Sequence, residues 1–132
     1  MSSISSIALS GMTAAQVSLQ ASASNLANMD DAAPLPGSGV AGPKPYAPIG
    51  VSQINVGSSG VQAQLSANPS GDSPAYDPSN PYADGSGMVS TPDIDVGAEV
   101  AGRQQALQQY RFSAAMLDVQ KRMDQTTLDM VS

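Results

Sequence analysis

Residues 96–132 read VGAEVAGRQQALQQYRFSAAMLDVQKRMDQTTLDMVS, a stretch without proline. One set of positions in it recurs at steps of four and three residues, the spacing of a coiled-coil seam: Val96, Val100, Arg103, Leu107, Tyr110, Ala114, Leu117, Lys121, Asp124, Leu128 and Val131. A second, apolar stripe runs beside this seam: Phe112, Met116, Val119, Met123 and Met130. The pattern predicts one α-helix of about 35 residues, and its two apolar faces indicate more than one neighbour. Asp95 is well placed to cap the N-terminus of this helix.

The other end of the chain, residues 1–29, has no ionisable side chain and no proline. Mostly apolar residues recur there at helical spacing: Ile4, Ala8, Met12, Ala15, Leu19, Ala23 and Leu26. This pattern predicts a second helix, which Asn28, Asp30 and Asp31 end. Its serines and Gly11 lower the helix propensity, so the helix alone should be poorly formed. It either packs on a small core or needs a partner, and the scarcity of bulky apolar residues favours the partner.

Proline positions divide the chain into three parts. All ten prolines lie between Pro34 and Pro92, and proline inside a helix removes a hydrogen bond and clashes with the preceding turn. We therefore predict an N-terminal helix in 1–29, a Pro/Gly-rich linker in 30–95 and a C-terminal helix in 96–132. The fold class is mainly α, with the two long helices packing as a coiled coil in an assembly. The C-terminal helix folding back on the first as a hairpin is the alternative, and it is compatible with assembly.

The linker contains one segment with strand character. Two runs rich in Val, Ile and Leu flank Gly57-Ser58-Ser59-Gly60, a sequence typical of turns. They predict a small β-hairpin at about 49–66, whereas the remaining linker reads as turns and extended chain. Two strands alone are marginally stable in water, so the hairpin also needs a covering helix or a neighbouring subunit.

Composition excludes several classes of function. The 132 residues include no His and no Cys, so the usual zinc sites and His-based nucleophilic triads are excluded and an enzyme or a bound cofactor is not expected. A net charge of −6 with five Lys and Arg argues against nucleic acid and anionic membranes. The aspartates near residue 84 do not have the spacing of a calcium loop, so no metal site is predicted. The N-terminus has neither the basic flank nor the apolar run of a cleaved signal peptide.

Two segments carry a family resemblance. Residues 23–28 read ASNLAN and resemble the signature that ends the first helix of bacterial flagellar axial proteins. Residues 76–95 read YDPSNPYADGSGMVSTPDID and resemble a characteristic segment of the flagellar basal-body rod protein C family. The matching positions are Ser24, Asn25, Leu26, Ala27, Asn28, Asp77, Pro78, Pro81, Asp84, Gly87 and Pro92. Proximal-rod relatives share the N-terminal motif, so another rod subunit is the near alternative.

The resemblance implies a structural role in the flagellum. The terminal helices would form the inner coiled-coil layer of a helical tube, the periplasm-spanning rod that transmits torque. The partners would be other rod subunits, copies of this chain and the type III export apparatus, which exports such proteins without a cleaved signal. No small-molecule substrate is expected.

Helical spacing predicts which residues form the assembly interface: Ile4, Met12, Leu19, Leu26, Val100, Leu107, Tyr110, Leu117 and Leu128. A different class of function stays open beside the rod subunit, namely a secreted adaptor whose disordered ends fold on one protein partner. Assembly state distinguishes them, because an adaptor forms a complex of small fixed stoichiometry and a rod subunit joins a helical array.

Overall fold

The structure is a computed structural model that describes residues 3–68 and 71–131. It contains two long helices, α1 (Ser3–Ala27) and α2 (Val96–Val131), with a small β region between them. The C-terminal helix folds back on the first, which is the alternative given above, because α1 and α2 pack against each other in antiparallel orientation. Two contacts define this orientation: the end of α1 meets the start of α2 at Asn25 and Glu99, and Gly11 meets Ser113 further along.

Small residues make the contact between the helices. The buried positions of α1 are Ala8, Gly11, Ala14, Ala15, Ala21, Ser22 and Asn25, and those of α2 are Ala106 and Gln120. A Cβ atom on Gly11 would lie 2.6 Å from the Ser113 hydroxyl oxygen, so a side chain at position 11 would require that hydroxyl to move away. Alanine, serine and glycine bring helix backbones close together but bury little apolar surface. The contact is therefore close but weakly hydrophobic.

The helices begin and end at polar caps. Asp95 caps α2 as predicted, since its Oδ1 atom accepts a hydrogen bond from the backbone N–H of Ala98 at 3.0 Å. At the end of α1, the backbone oxygen of Ser24 accepts from the Asn28 side chain at 2.7 Å and from the Asn28 backbone N–H at 3.2 Å, so Asn28 closes the last turn. α2 has 36 residues and α1 has 25, and residues 121–130 of α2 are all exposed. We call residues 121–130 the overhang of α2, about 15 Å long.

A β-hairpin packs on α1. Strands β1 (Ile49–Asn55) and β2 (Val61–Ala67) pair in antiparallel orientation around a 3-10 turn at Gly57–Ser59. The hairpin tip docks on α1 because the backbone N–H of Val61 donates to the Ser10 hydroxyl at 3.1 Å. Gly60 has a φ of 96°, and a Cβ there would lie 3.1 Å from the Cα of Ile7. The covering helix that two isolated strands need is thus α1.

A second sheet lies in a region where the sequence predicted turns and extended chain without a strand pair. Strands β3 (Asp72–Tyr76) and β4 (Met88–Pro92) pair in antiparallel orientation. Ser90 lies opposite Pro74, but its backbone N–H and C=O both bond to Ala33 on the other side. The nitrogen of Pro74 therefore faces the outer edge of the sheet, and its missing N–H removes no hydrogen bond between β3 and β4. Val89 and Ser90 are almost fully buried and form the centre of this part of the protein.

Candidate functional site

The predicted interface residues fall into two groups in the structure. Six of them are half-buried within the chain: Met12, Leu19, Leu26, Leu107, Tyr110 and Leu117. Ile4, Val100 and Leu128 are exposed. The interface positions therefore lie beside the small-residue contact between α1 and α2 rather than in its centre, and each retains surface that a neighbouring molecule can reach.

The second stripe of α2 is an exposed apolar surface. Phe112 is 70% exposed, and the exposure continues through Met116, Val119, Met123 and Met130. Monomeric proteins rarely expose apolar side chains in a continuous row of this kind, and larger exposed patches mark interaction sites. The stripe runs from the helix pair into the overhang of α2, where α1 no longer covers either face. This surface, together with the predicted interface residues, is the candidate assembly site.

The ASNLAN motif lies where α1, α2 and the hairpin meet. The Asn25 side chain is 1% exposed and its amide nitrogen donates to the backbone oxygen of Ile49 at 3.0 Å and to Glu99 Oε1 at 2.6 Å. Its amide oxygen accepts from the backbone N–H of Ile49 at 2.8 Å and from the Tyr46 hydroxyl at 3.0 Å. Since Tyr46 donates to Asn25, the Ser24 hydroxyl donates to Tyr46 across 2.9 Å. The motif thus joins three elements through one buried amide.

The second family segment forms the connection between β3 and β4. Asp77 accepts hydrogen bonds from the Ser79 hydroxyl at 2.7 Å and from the Asn80 amide at 3.3 Å, and these contacts hold the pKa of Asp77 below its ordinary value. Asp84 Oδ1 accepts from the backbone N–H groups of Ser86 and Met88. Side-chain oxygens bonded to nearby backbone N–H groups stabilise tight turns. The carboxylates of Asp77 and Asp84 therefore accept hydrogen bonds that hold the local turns.

Gly87 and the prolines complete this connection. Gly87 has a φ of 77°, and a Cβ there would lie 2.9 Å from the Tyr76 ring and 3.0 Å from Pro78 Cβ. Pro92 is buried at the end of β4, whereas Pro81 is exposed. Only glycine combines the positive φ with this close approach of a ring. The family segment therefore encodes one compact turn rather than a set of ligands.

Sequence reasoning missed the partners of the motif. Tyr46, Ile49 and Glu99 lie 21, 24 and 74 residues from Asn25 along the chain, and no periodicity connects residues at such separations. Glu99 could be assigned only a favourable position in the first turn of α2. The one available signal for this network was an amide side chain near the C-terminal end of a helix that has no charged residue.

The described residues contain neither a metal-binding cluster nor a membrane-spanning helix. Within residues 3–68 and 71–131, no three His, Cys, Asp or Glu side chains are grouped so that they could hold a metal ion. None of the helices in these ranges is long and apolar enough to cross a membrane.

Comparison with known proteins places the chain in a family. No protein-family model matches it. The chain is 34% identical to flagellar basal-body rod protein FlgC of Escherichia coli O6:H1 and of Escherichia coli O157:H7, and 32% identical to FlgC of Yersinia enterocolitica. Each alignment covers 94% of this chain and 92% of the relative. With this identity over nearly the whole length of both proteins, the chain belongs to the flagellar basal-body rod protein FlgC family.

Proposed function

We propose that the chain is a structural subunit of the proximal rod of the bacterial flagellar basal body, with no catalytic role. Membership of the FlgC family supports the location in the rod. The placement of both long helices at the chain ends supports a subunit that assembles through its termini. The compact β region between them would lie on the outside of the tube.

The assembly contacts that we propose are made by the predicted interface residues and the exposed stripe of α2. The single observation that carries this proposal is the row of exposed apolar side chains from Phe112 to Met130, which continues into the overhang. Burying the exposed part of one such side chain contributes about 1–2 kcal/mol, since full burial of a fully exposed one contributes about 1.5–3 kcal/mol. A row of them repeated in every copy would join the subunits firmly enough to transmit torque through packed helices.

The proposal includes the partners and the route of the protein. The neighbours would be other rod subunits and copies of this chain in a helical tube that spans the periplasm. Export would proceed through the flagellar type III apparatus, without a cleaved signal peptide. Nucleic acid is not among the proposed partners, because α1 has no cationic side chain and the net charge is −6.

Isolation of basal bodies tests this function. A tagged full-length chain should co-purify with detergent-extracted basal bodies and should appear in the rod by labelling and imaging. Recovery of the chain only in a small soluble complex of fixed stoichiometry would overturn the rod assignment and favour the adaptor.

A further inference from the structure

The packing of α1 on α2 fixes the axial position of the two helices only in part. Large side chains that insert between those of a partner helix fix the position along the axis, whereas alanine, glycine and serine offer little relief to resist sliding. The buried apolar residues of this contact are all alanines. A shift of α1 by one helical turn, about 5.4 Å, would bring a larger side chain into some of the buried positions, such as Val17 in place of Ala21 or Leu19 in place of Ala15, so packing opposes the shift but offers no deep interlock of side chains.

Asn25 is the buried polar group that would not tolerate such a shift. A neutral amide side chain offers two donor hydrogens and two acceptor positions, and all four are used by Ile49, Glu99 and Tyr46. A buried donor or acceptor left without a partner costs far more than the bond contributes. A shift by one turn would separate the amide from Glu99 on α2 and leave it buried without that partner.

The contact with Ile49 extends this constraint to the hairpin. The amide of Asn25 donates to the backbone oxygen of Ile49 and accepts from its backbone N–H, as a neighbouring strand would. On the opposite strand, the backbone N–H of Val61 is directed to Ser10 rather than to β1. The alternating ladder therefore directs both backbone groups of Ile49 away from β2 and towards Asn25. Asn25 thus pairs with the free edge of β1 at the first residue of the strand.

We propose that Asn25 is a positioning residue that sets the axial register of α1 against α2 and fixes the start of the hairpin on the helix pair. Single buried amides set the register of coiled coils by the same penalty against unpaired polar groups. This inference goes beyond the proposed function. It concerns the folded chain alone, so a failure to find the chain in the rod would not affect it.

Cysteine cross-linking can measure the register directly, because the chain has no cysteine of its own. A Cβ on Gly11 would lie 3.5 Å from the Cβ of Ser113, within the range of a disulfide. Gly11→Cys with Ser113→Cys therefore reports the native register. Gly11→Cys with Leu117→Cys or with Gln109→Cys reports a shift by one turn in either direction. The quantity measured in the purified full chain is the ratio of native to shifted cross-links.

The test compares two asparagines of the same motif. Asn25→Leu keeps the side-chain size but removes all four hydrogen bonds, and we expect the ratio of native to shifted cross-links to fall by roughly tenfold. Asn28→Leu is the matched control, since Asn28 donates only to Ser24 within its own helix, and it should leave the ratio unchanged. An unchanged ratio in Asn25→Leu, an equal fall in both variants, or no preference for the native pair in the parent chain would overturn the proposal.

Asn25→Leu could lower all cross-links together by unfolding the chain, and its ratio would then not report the register. A second pair of variants tests the register in that case. Asn25→Asp places a carboxylate against that of Glu99, and it should reduce the native cross-link strongly because two like charges would face each other. Adding Glu99→Gln returns a donor to the contact with residue 99, whereas the carboxylate still faces the backbone oxygen of Ile49, so the double variant should recover part of the native cross-link. A general loss in Asn25→Leu combined with no recovery in the double variant would overturn the register role.

Discussion

Replacing Phe112 by aspartate separates assembly from folding. Phe112 is 70% exposed in the single chain, so Phe112→Asp should change the thermal unfolding temperature of the free protein little. In the rod, the loss of the phenyl ring would remove about 1–2 kcal/mol of apolar burial per copy, which is the exposed share of a full side chain. The new carboxylate would then be desolvated at the interface, and a buried charge without a partner costs several kcal/mol more.

No cationic side chain lies one helical turn from Phe112, and Arg111, its neighbour in sequence, lies about 100° around the helix, so the new charge has no cation beside it. The residues one helical turn away are Gln108, Gln109, Ala115 and Met116, none of them cationic. We expect basal bodies from a strain that carries only Phe112→Asp to lack complete rods, although the variant is produced at the level of the parent. Imaging of isolated basal bodies measures the assembly, and circular dichroism of the purified chain measures the folding.

Asp118→Ala is the matched control on the same helix. Asp118 forms an ion pair with Arg122 at 2.8 Å, but both side chains are largely exposed, and exposed pairs contribute only about 0–1 kcal/mol. The control should assemble as the parent does. Complete rods with Phe112→Asp would refute the proposed role of the exposed stripe. A loss of rods in both variants would also count against it, because a change outside the stripe would then prevent assembly equally.

Three other perturbations have defined outcomes. Deletion of residues 1–28 should abolish incorporation, because it removes α1 and the surface on which the hairpin docks; swimming of a strain with only this form would contradict the assignment. Gly60→Ala should cost about 1–3 kcal/mol of unfolding free energy, from the positive φ and the approach to Ile7, measured by thermal unfolding. For Asp77, whose pKa is lowered in the folded chain, the turn contributes stability above the unfolded pKa and loses it as the pH falls through the folded value. Amide chemical shifts of Ser79 followed during acidification should report this low titration, and a midpoint above that of an ordinary aspartate would exclude the effect.

Helical periodicity was sufficient to predict the two terminal helices. The absence of proline and the four-three spacing in 96–132 reflect the geometry of a single regular element, which local sequence determines. The β-hairpin could be predicted for the same reason, since Gly57-Ser58-Ser59-Gly60 separates two short strand-like runs. Asp95 also has the expected cap function, because N-capping involves only residues of the first turn.

The features that sequence analysis missed depend on contacts between distant segments. A search for large apolar residues overlooks the alanines and Gly11 that make the contact of α1 with α2, because their value lies in close approach rather than in hydrophobicity. The second sheet was missed because prolines suggest turns, and only the position of Pro74 on an outer edge makes the strand acceptable. The network of Asn25 was missed because its partners come from three separate segments.

Because α1 has no charged side chain, the strength of its contacts should depend little on the salt concentration around it. At 0.1 M salt, dissolved ions largely screen exposed charges that lie more than about 10 Å apart, and added salt weakens closer pairs too, but it has little effect on contacts between uncharged side chains. Contacts that a neighbour makes with α1 should therefore keep their strength as salt is added. The overhang of α2, in contrast, carries Lys121, Arg122, Asp124 and Asp129, so its contacts should respond to salt. A salt titration of assembled subunits thus distinguishes which of the two helices a neighbour touches.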